Sequence, residues 1–117
     1  MTILLVDDSP IVRDVIKAVL QARGYQILEA DDGDQALAVA ANQPIDLLLT
    51  DVFMPKMSGV ELAKALTTQR PDLPVLFISG FPFDLAAHKA HITRCAFLQK
   101  PFEFPQLFQT IASLTQK

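Results

Sequence analysis

Five short apolar runs, each followed by a segment of helical period or a turn, constrain this chain more than any other feature. Residues 2–6, 25–30, 45–50, 75–78 and 94–98 read as strands. The segments between them carry helix signals. Ser9 suits a helix N-cap, with Pro10 at the first helical position. Val12, Val15, Ile16, Val19 and Leu20 then mark one face, and Gly24 reads as the stop. Asp32 and Gly33 turn the chain into an alanine-rich helix over residues 34–41. A loop holding Pro55 and Gly59 leads a helix to about residue 68, and Pro71 and Pro74 bracket the next turn. A weaker helix is expected over residues 84–91. The last is expected over 103–114, with Phe104, Leu107, Phe108, Ile111 and Ala112 facing inward.

Strands alternating with helices predict an α/β fold: a parallel sheet wound on both faces, (βα)5 in plan. Right-handed crossovers leave few topologies, and the flavodoxin-like order 2-1-3-4-5 is the expectation. At 117 residues the chain suffices for one domain, expected to span 1–117, and is too short for two. In that strand order, strands 1 and 3 are neighbours at the switch point, where side chains at the carboxyl ends converge on one crevice.

The residues at those ends are charged. Asp7 and Asp8 follow the first strand, Asp51 the third, Ser79 the fourth, and Lys100, next to Pro101, closes the fifth. Clustered carboxylates repel one another until a cation joins them. Mg²⁺ takes oxygen ligands and is usually held by one or two carboxylates plus phosphate oxygens. A carboxylate can also attack a phosphoryl group, and an ammonium can neutralise its oxygens. Asp51 is the candidate nucleophile, Asp7 and Asp8 the metal-side acids, Lys100 the phosphate-side cation, and Ser79 a hydroxyl donor.

Composition removes several alternatives. Net charge is -3 and no Lys/Arg cluster exists, so direct nucleic-acid binding is not expected. The single cysteine, Cys95, rules out an internal disulfide and fits a reducing compartment. No apolar run approaches the roughly 20 residues of a membrane span, and no secretory signal leads the chain. A cytoplasmic domain without membrane contact is the expectation.

The ordered set Leu5-Val6-Asp7-Asp8, Asp51-Val52-Phe53-Met54-Pro55 with Met57-Ser58-Gly59, Ser79-Gly80, and Phe97-Leu98-Gln99-Lys100-Pro101-Phe102 resembles the CheY-like receiver domain of bacterial two-component response regulators. The likeness runs over essentially the whole chain, and its wording around Asp51 and Lys100 is similar to receivers at the C-terminus of hybrid sensor histidine kinases. The resemblance implies that Asp51 takes a phosphoryl group from a histidine kinase or phosphotransfer protein, with Mg²⁺ as cofactor. It implies that Asp8 ligates the metal directly, Asp7 acts mostly through metal-bound water, and the Phe53 backbone carbonyl completes the set. Ser79 and Lys100 would contact the attached phosphoryl group, and Phe97 would be the aromatic switch. The Lys100-Pro101 bond is expected to be cis. Ser79 stands where Thr is common, and Phe97 where Tyr is. Phe53 and Phe81 fall where the family tunes dephosphorylation, so a slow loss of the phosphoryl group is expected.

By this resemblance the chain is a phosphorylated switch rather than a turnover enzyme; with the sequence ending just past the last helix, no effector domain is expected in it. A Mg²⁺-dependent aspartyl phosphohydrolase is the competing class. Haloacid-dehalogenase-like enzymes carry a second acid two residues after the nucleophile, where this chain has Phe53. A non-phosphorylated pseudo-receiver scaffold would normally lose one of the acids or the lysine. His88 and His91 lack partners for a metal site and read as solvated. Cys95 reads as a small buried hydrophobe, and Asp31, Asp32 and Asp34 as a solvated turn and helix start. An output partner is expected at the fourth helix, fifth strand and fifth helix, near Phe81-Pro82-Phe83.

Overall fold

The computed structural model describes residues 1–88 and 92–116. Five parallel strands form one sheet in the order 2-1-3-4-5: β1 (Thr2–Val6), β2 (Gln26–Ala30), β3 (Leu47–Asp51), β4 (Val75–Ser79) and β5 (Cys95–Gln99). Among the described residues there are four α-helices: α1 (Pro10–Ala22), α2 (Gly33–Ala41), α3 (Gly59–Gln69) and α4 (Phe104–Thr115).

Register aligns the carboxyl ends. Val6 pairs with Ala30 on one side and Thr50 on the other, Asp51 pairs with Ile78, and Ser79 with Gln99. β1, β3 and β4 are central and almost wholly buried, so they read as continuous apolar runs. Alternation along each strand divides the core. Leu4, Val6, Leu48 and Phe77 pack on one face with α2 and α3 residues such as Ala36 and Leu62. Ile3, Leu5, Leu49 and Ile78 pack on the other with Ile16 and Leu20 of α1 and Leu107 and Ile111 of α4. Each fully buried Leu, Ile, Val or Phe side chain among these contributes about 1.5–3 kcal/mol.

The Ser9 signal acts as expected, and side chains cap two further helix starts as well. The Ser9 hydroxyl accepts from Val12 N, with Pro10 next in line. Asp32 accepts from Gln35 N at 2.8 Å. Ser58 and Glu61 form a reciprocal capping box. Gly24, just beyond α1, has φ +90°, a left-handed conformation that glycine adopts at little cost.

Several expectations need correction. Residues 84–91 do not form the expected fourth helix over their described part: only Leu85–His88 are helical, as one 3-10 turn. Ala86 and Ala87 are exposed there and supply no apolar face to bury. Residues 89–91, including His91, lie outside the described residues. His88 is half-buried and stacks on Phe83, with centroids 5.3 Å apart and planes 7° apart, so it is not a solvated side chain. Cys95 is half-buried rather than buried, and its Sγ lies 3.6 Å from the Ile92 carbonyl. Val15 on α1, and Phe104 and Ala112 on α4, face outward. Both helices lie on one face of the sheet and each buries a narrower stripe than the periodicity suggested. Asp51 is the last residue of β3, not the first of the loop after it. Among the described residues no helix is long and apolar enough to cross a membrane.

Candidate functional site

The sheet brings Asp7, Asp8, Asp51, Ser79 and Lys100 to one edge. Asp7 follows β1, and its N–H extends the ladder to Ala30 O. Its carboxylate is fully buried and both oxygens are engaged: Oδ1 accepts from Ser9 N at 2.9 Å and Oδ2 from Lys100 Nζ at 3.1 Å. Lys100 Nζ also lies 3.4 Å from Asp51 Oδ2, so one ammonium bridges two carboxylates from different strands. Asp8 is exposed. One carboxylate oxygen from each of Asp7, Asp8 and Asp51 lies within 4.8 Å of the others.

The backbone beneath Asp51 is closely fitted. Thr50 Oγ1 donates to the Asp51 carbonyl at 3.0 Å. Gly59 N donates to Val52 O at 2.8 Å, and a side chain at Gly59 would run into the Asp51 carbonyl. Lys56, at the tip of the loop, holds φ 70°, which costs a residue with a side chain about 1–2 kcal/mol.

Burial pushes the Asp51 carboxyl above its ordinary value. The Lys100 charge pulls it down, the Asp7 charge raises it again, and hydrogen bonds from Lys100 and the Phe53 backbone lower it. Burial is the largest of these, so ionising Asp51 is costly. A divalent cation would relieve that cost. The all-oxygen donor set suits a hard ion such as Mg²⁺.

The β4–β5 side is built differently. Ser79 is buried, and its Oγ accepts from Phe81 N at 3.0 Å while its carbonyl accepts from Lys100 N at 2.7 Å. Phe83 joins three rings: Phe77 of β4 at 5.2 Å, Phe97 of β5 at 5.5 Å and His88. Phe97 is half-buried against this group. Phe53 and Phe81 meet edge-to-face at 5.9 Å beside Asp51, both more than half exposed. The Lys100-Pro101 peptide is cis, as expected.

Response regulator receiver domains match this chain over residues 3–112. The chain belongs to that family. The sensor kinase CckA of Brucella abortus is 35% identical over 119 residues, covering 99% of this chain but only 13% of the kinase. The response regulator receiver protein CpdR of the same organism is 35% identical over 113 residues, covering 96% of this chain and 94% of its own. The response regulator TrrA of Thermotoga maritima, solved in complex with Mg(2+)-BeF, superposes with a TM-score of 0.86 at 28% identity, covering 97% of each chain. The fold and the class of function follow: a receiver domain of two-component response regulators, with the doubly wound order expected of it.

Two features of the receiver site were not read from the sequence. One is Phe83 as the centre of a ring cluster; a phenylalanine in a loop carries no periodic signal. The other is Arg13, whose Nη1 donates to the Asp7 carbonyl at 2.6 Å. Its position in the first turn of α1, just after Asp7 and Asp8, was the available clue.

Proposed function

We propose that Asp51 is the phosphoacceptor of this receiver, taking the phosphoryl group from a phosphohistidine of a histidine kinase or phosphotransfer protein. The observation that carries this is the Lys100 bridge between Asp7 and Asp51, which joins residues far apart in sequence at a rim where strand-end acids, a buried hydroxyl and an ammonium meet. An Asp51 carboxylate oxygen forms the new O–P bond as the N–P bond to the donor imidazole breaks. Positioning and charge neutralisation are most of what such a transfer needs. Lys100 can follow a phosphoryl oxygen with Nζ, and the Ser79 O–H, which the Phe81 N–H bond leaves unspent, can donate to another.

Asp7, Asp8, Asp51 and the Phe53 carbonyl would hold Mg²⁺, which supplies positive charge against the incoming group. The Mg(2+)-BeF complex of TrrA, a relative of the same fold, supports Mg²⁺ as the ion. The chain assists its own modification and turns over no substrate. Phe53 brings no carboxylate to the position where a haloacid-dehalogenase-like hydrolase needs its second acid. The stretch 1–117 acts as a single receiver unit in the cytoplasm, touching neither membrane nor nucleic acid directly. Ser79 and Phe97 carry the conformational response to an output partner on the β5 side. The exposed Phe53–Phe81 pair hinders water at the acyl phosphate, so phosphoryl loss is slow; a lifetime of seconds would sink that point.

Acetyl phosphate with Mg²⁺ provides the test. Wild type is expected to gain the mass of one phosphoryl group, and Asp51→Asn to gain none. The same mass gain in the variant would overturn the assignment of Asp51. Steady release of phosphate from generic esters would favour the hydrolase.

A further inference from the structure

The carbonyl of Asp7 lies past the end of β1, where the strand ladder no longer supplies a donor. Arg13 supplies one, through Nη1 at 2.6 Å. Helical side chains lean toward the N-terminus, so a residue in the first turn of α1 is aimed back at the loop before it. The guanidinium is itself held from a second strand. Its Nε lies 3.4 Å from Glu29 Oε1, and Lys17 Nζ, one turn further along α1, lies 2.6 Å from Glu29 Oε2. Glu29 falls two residues after Ile27 on β2 and so faces α1. Lys17 and Arg13 together hold its carboxyl below the ordinary carboxylate range, against a smaller opposing effect of burial.

A peptide unit is planar, so fixing the Asp7 carbonyl fixes the plane that carries the nitrogen and Cα of Asp8. Asp8 is exposed, and its backbone is what aims its carboxylate. We propose that Arg13, anchored by Glu29, is a positioning residue that sets the Mg²⁺ affinity of the site by fixing the Asp7–Asp8 peptide plane. This rests on the reading of Asp7, Asp8 and Asp51 as the metal-holding acids. Groups behind metal ligands commonly control affinity in this way.

A purely electrostatic role predicts the opposite sign at Arg13, which makes the proposal easy to break. Arg13 is a cation near the site and Glu29 an anion behind it. By charge alone, Arg13→Met would tighten Mg²⁺ and Glu29→Gln would loosen it. Positioning predicts that both loosen it, by about 10-fold each, and that the double variant is no weaker than the weaker single one, because the two act as one unit. The measurement is a calorimetric titration of the full chain with MgCl2 alone, beside the metal-free thermal midpoint. Arg13→Lys keeps the charge but lacks the planar fork that spans both partners, so it is expected to restore the affinity only in part.

Unchanged or tighter binding in Arg13→Met, additive losses in the double variant, or full wild-type affinity in Arg13→Lys would each overturn the proposal. So would a falling thermal midpoint with unmoved Mg²⁺ affinity, the mark of a carbonyl partner and nothing more. Should Arg13→Met fail to fold, Arg13→Lys carries the test, because charge alone predicts no change there: loosening beyond 3-fold supports the proposal, and less overturns it. If wild type takes up no Mg²⁺, the assignment of the acids falls and this inference with it; equal uptake by every chain sinks the inference alone.

Discussion

The two halves of the functional edge are held by different forces. On the β1–β3 side, buried carboxylates are tied by Lys100, by the Ser9 N–H and by backbone packed against Gly59. On the β4–β5 side, a chain of rings runs from Phe77 through Phe83 to Phe97 and His88 at the half-exposed rim of the sheet. Hydrogen bonds and ion pairs demand fixed directions, whereas ring contacts permit several arrangements of similar energy. The first half suits holding a charged group in place, and the second suits reporting that it has arrived.

The largest expected effect tests the rigid half. Gly59→Ala places a methyl group against the Asp51 carbonyl and the Val52 Cα, both backbone and neither able to swing away. We expect a loss of about 3 kcal/mol in urea unfolding together with impaired labelling by acetyl phosphate. A stable, fully labelled variant would show that the Asp51 backbone yields more than the comparison allows.

Phe83→Ala tests the other half. Complete removal of a buried Phe side chain costs about 3–5 kcal/mol, and Phe83 is only half-buried, so about 2 kcal/mol is expected. Mg²⁺ affinity should stay unchanged, because the rings touch no site carboxylate. A weakened Mg²⁺ affinity would join the two halves into one.

Lys100→Met leaves Asp7 and Asp51 without their shared cation. The lysine is about a quarter exposed, so the expected loss is about 1–2 kcal/mol. Mg²⁺ should bind more tightly, since the competing charge is gone, while labelling falls. The outcome that would break the comparison is weaker Mg²⁺ binding, because Lys100 would then be organising the acids as well as neutralising them.

The smallest effects are pH-dependent and opposite in sign. The Asp51 carboxyl is raised in the folded chain, so the folded state holds its proton more tightly than the unfolded one. Metal-free stability therefore declines as pH rises from the ordinary carboxylate value through the folded one. Asp51→Asn removes that loss and should be the more stable chain at pH 7, with the gap closing in acid. Glu29 is lowered, so its contribution is complete above its ordinary value and disappears as pH falls through the folded one. Glu29→Gln should be slightly less stable at pH 7 and equal to wild type in acid, with salt shrinking the difference. Thermal melts across pH in metal-free buffer check both signs.

The strand order and the charged rim were legible because each depends on local pattern plus a general handedness rule. Apolar runs of strand length separated by helical segments leave few topologies, and those topologies put Asp7, Asp51, Ser79 and Lys100 together. The outward Val15 and Phe104 were not legible, since a period of 3.6 marks a face but not how wide a stripe the sheet will cover. The turn at Leu85–His88 escaped for a related reason: its composition is helix-compatible, but its exposed alanines give it no apolar face to bury.

The sequence by itself determined which residues could do chemistry and which end of the sheet they would share, because strand direction and side-chain type are written locally. Tertiary structure alone decided who holds whom: Lys100 across Asp7 and Asp51, Phe83 among three rings, Arg13 between Glu29 and the Asp7 carbonyl. Those ties join residues from different elements, and their geometry depends on packing distances that no local pattern encodes.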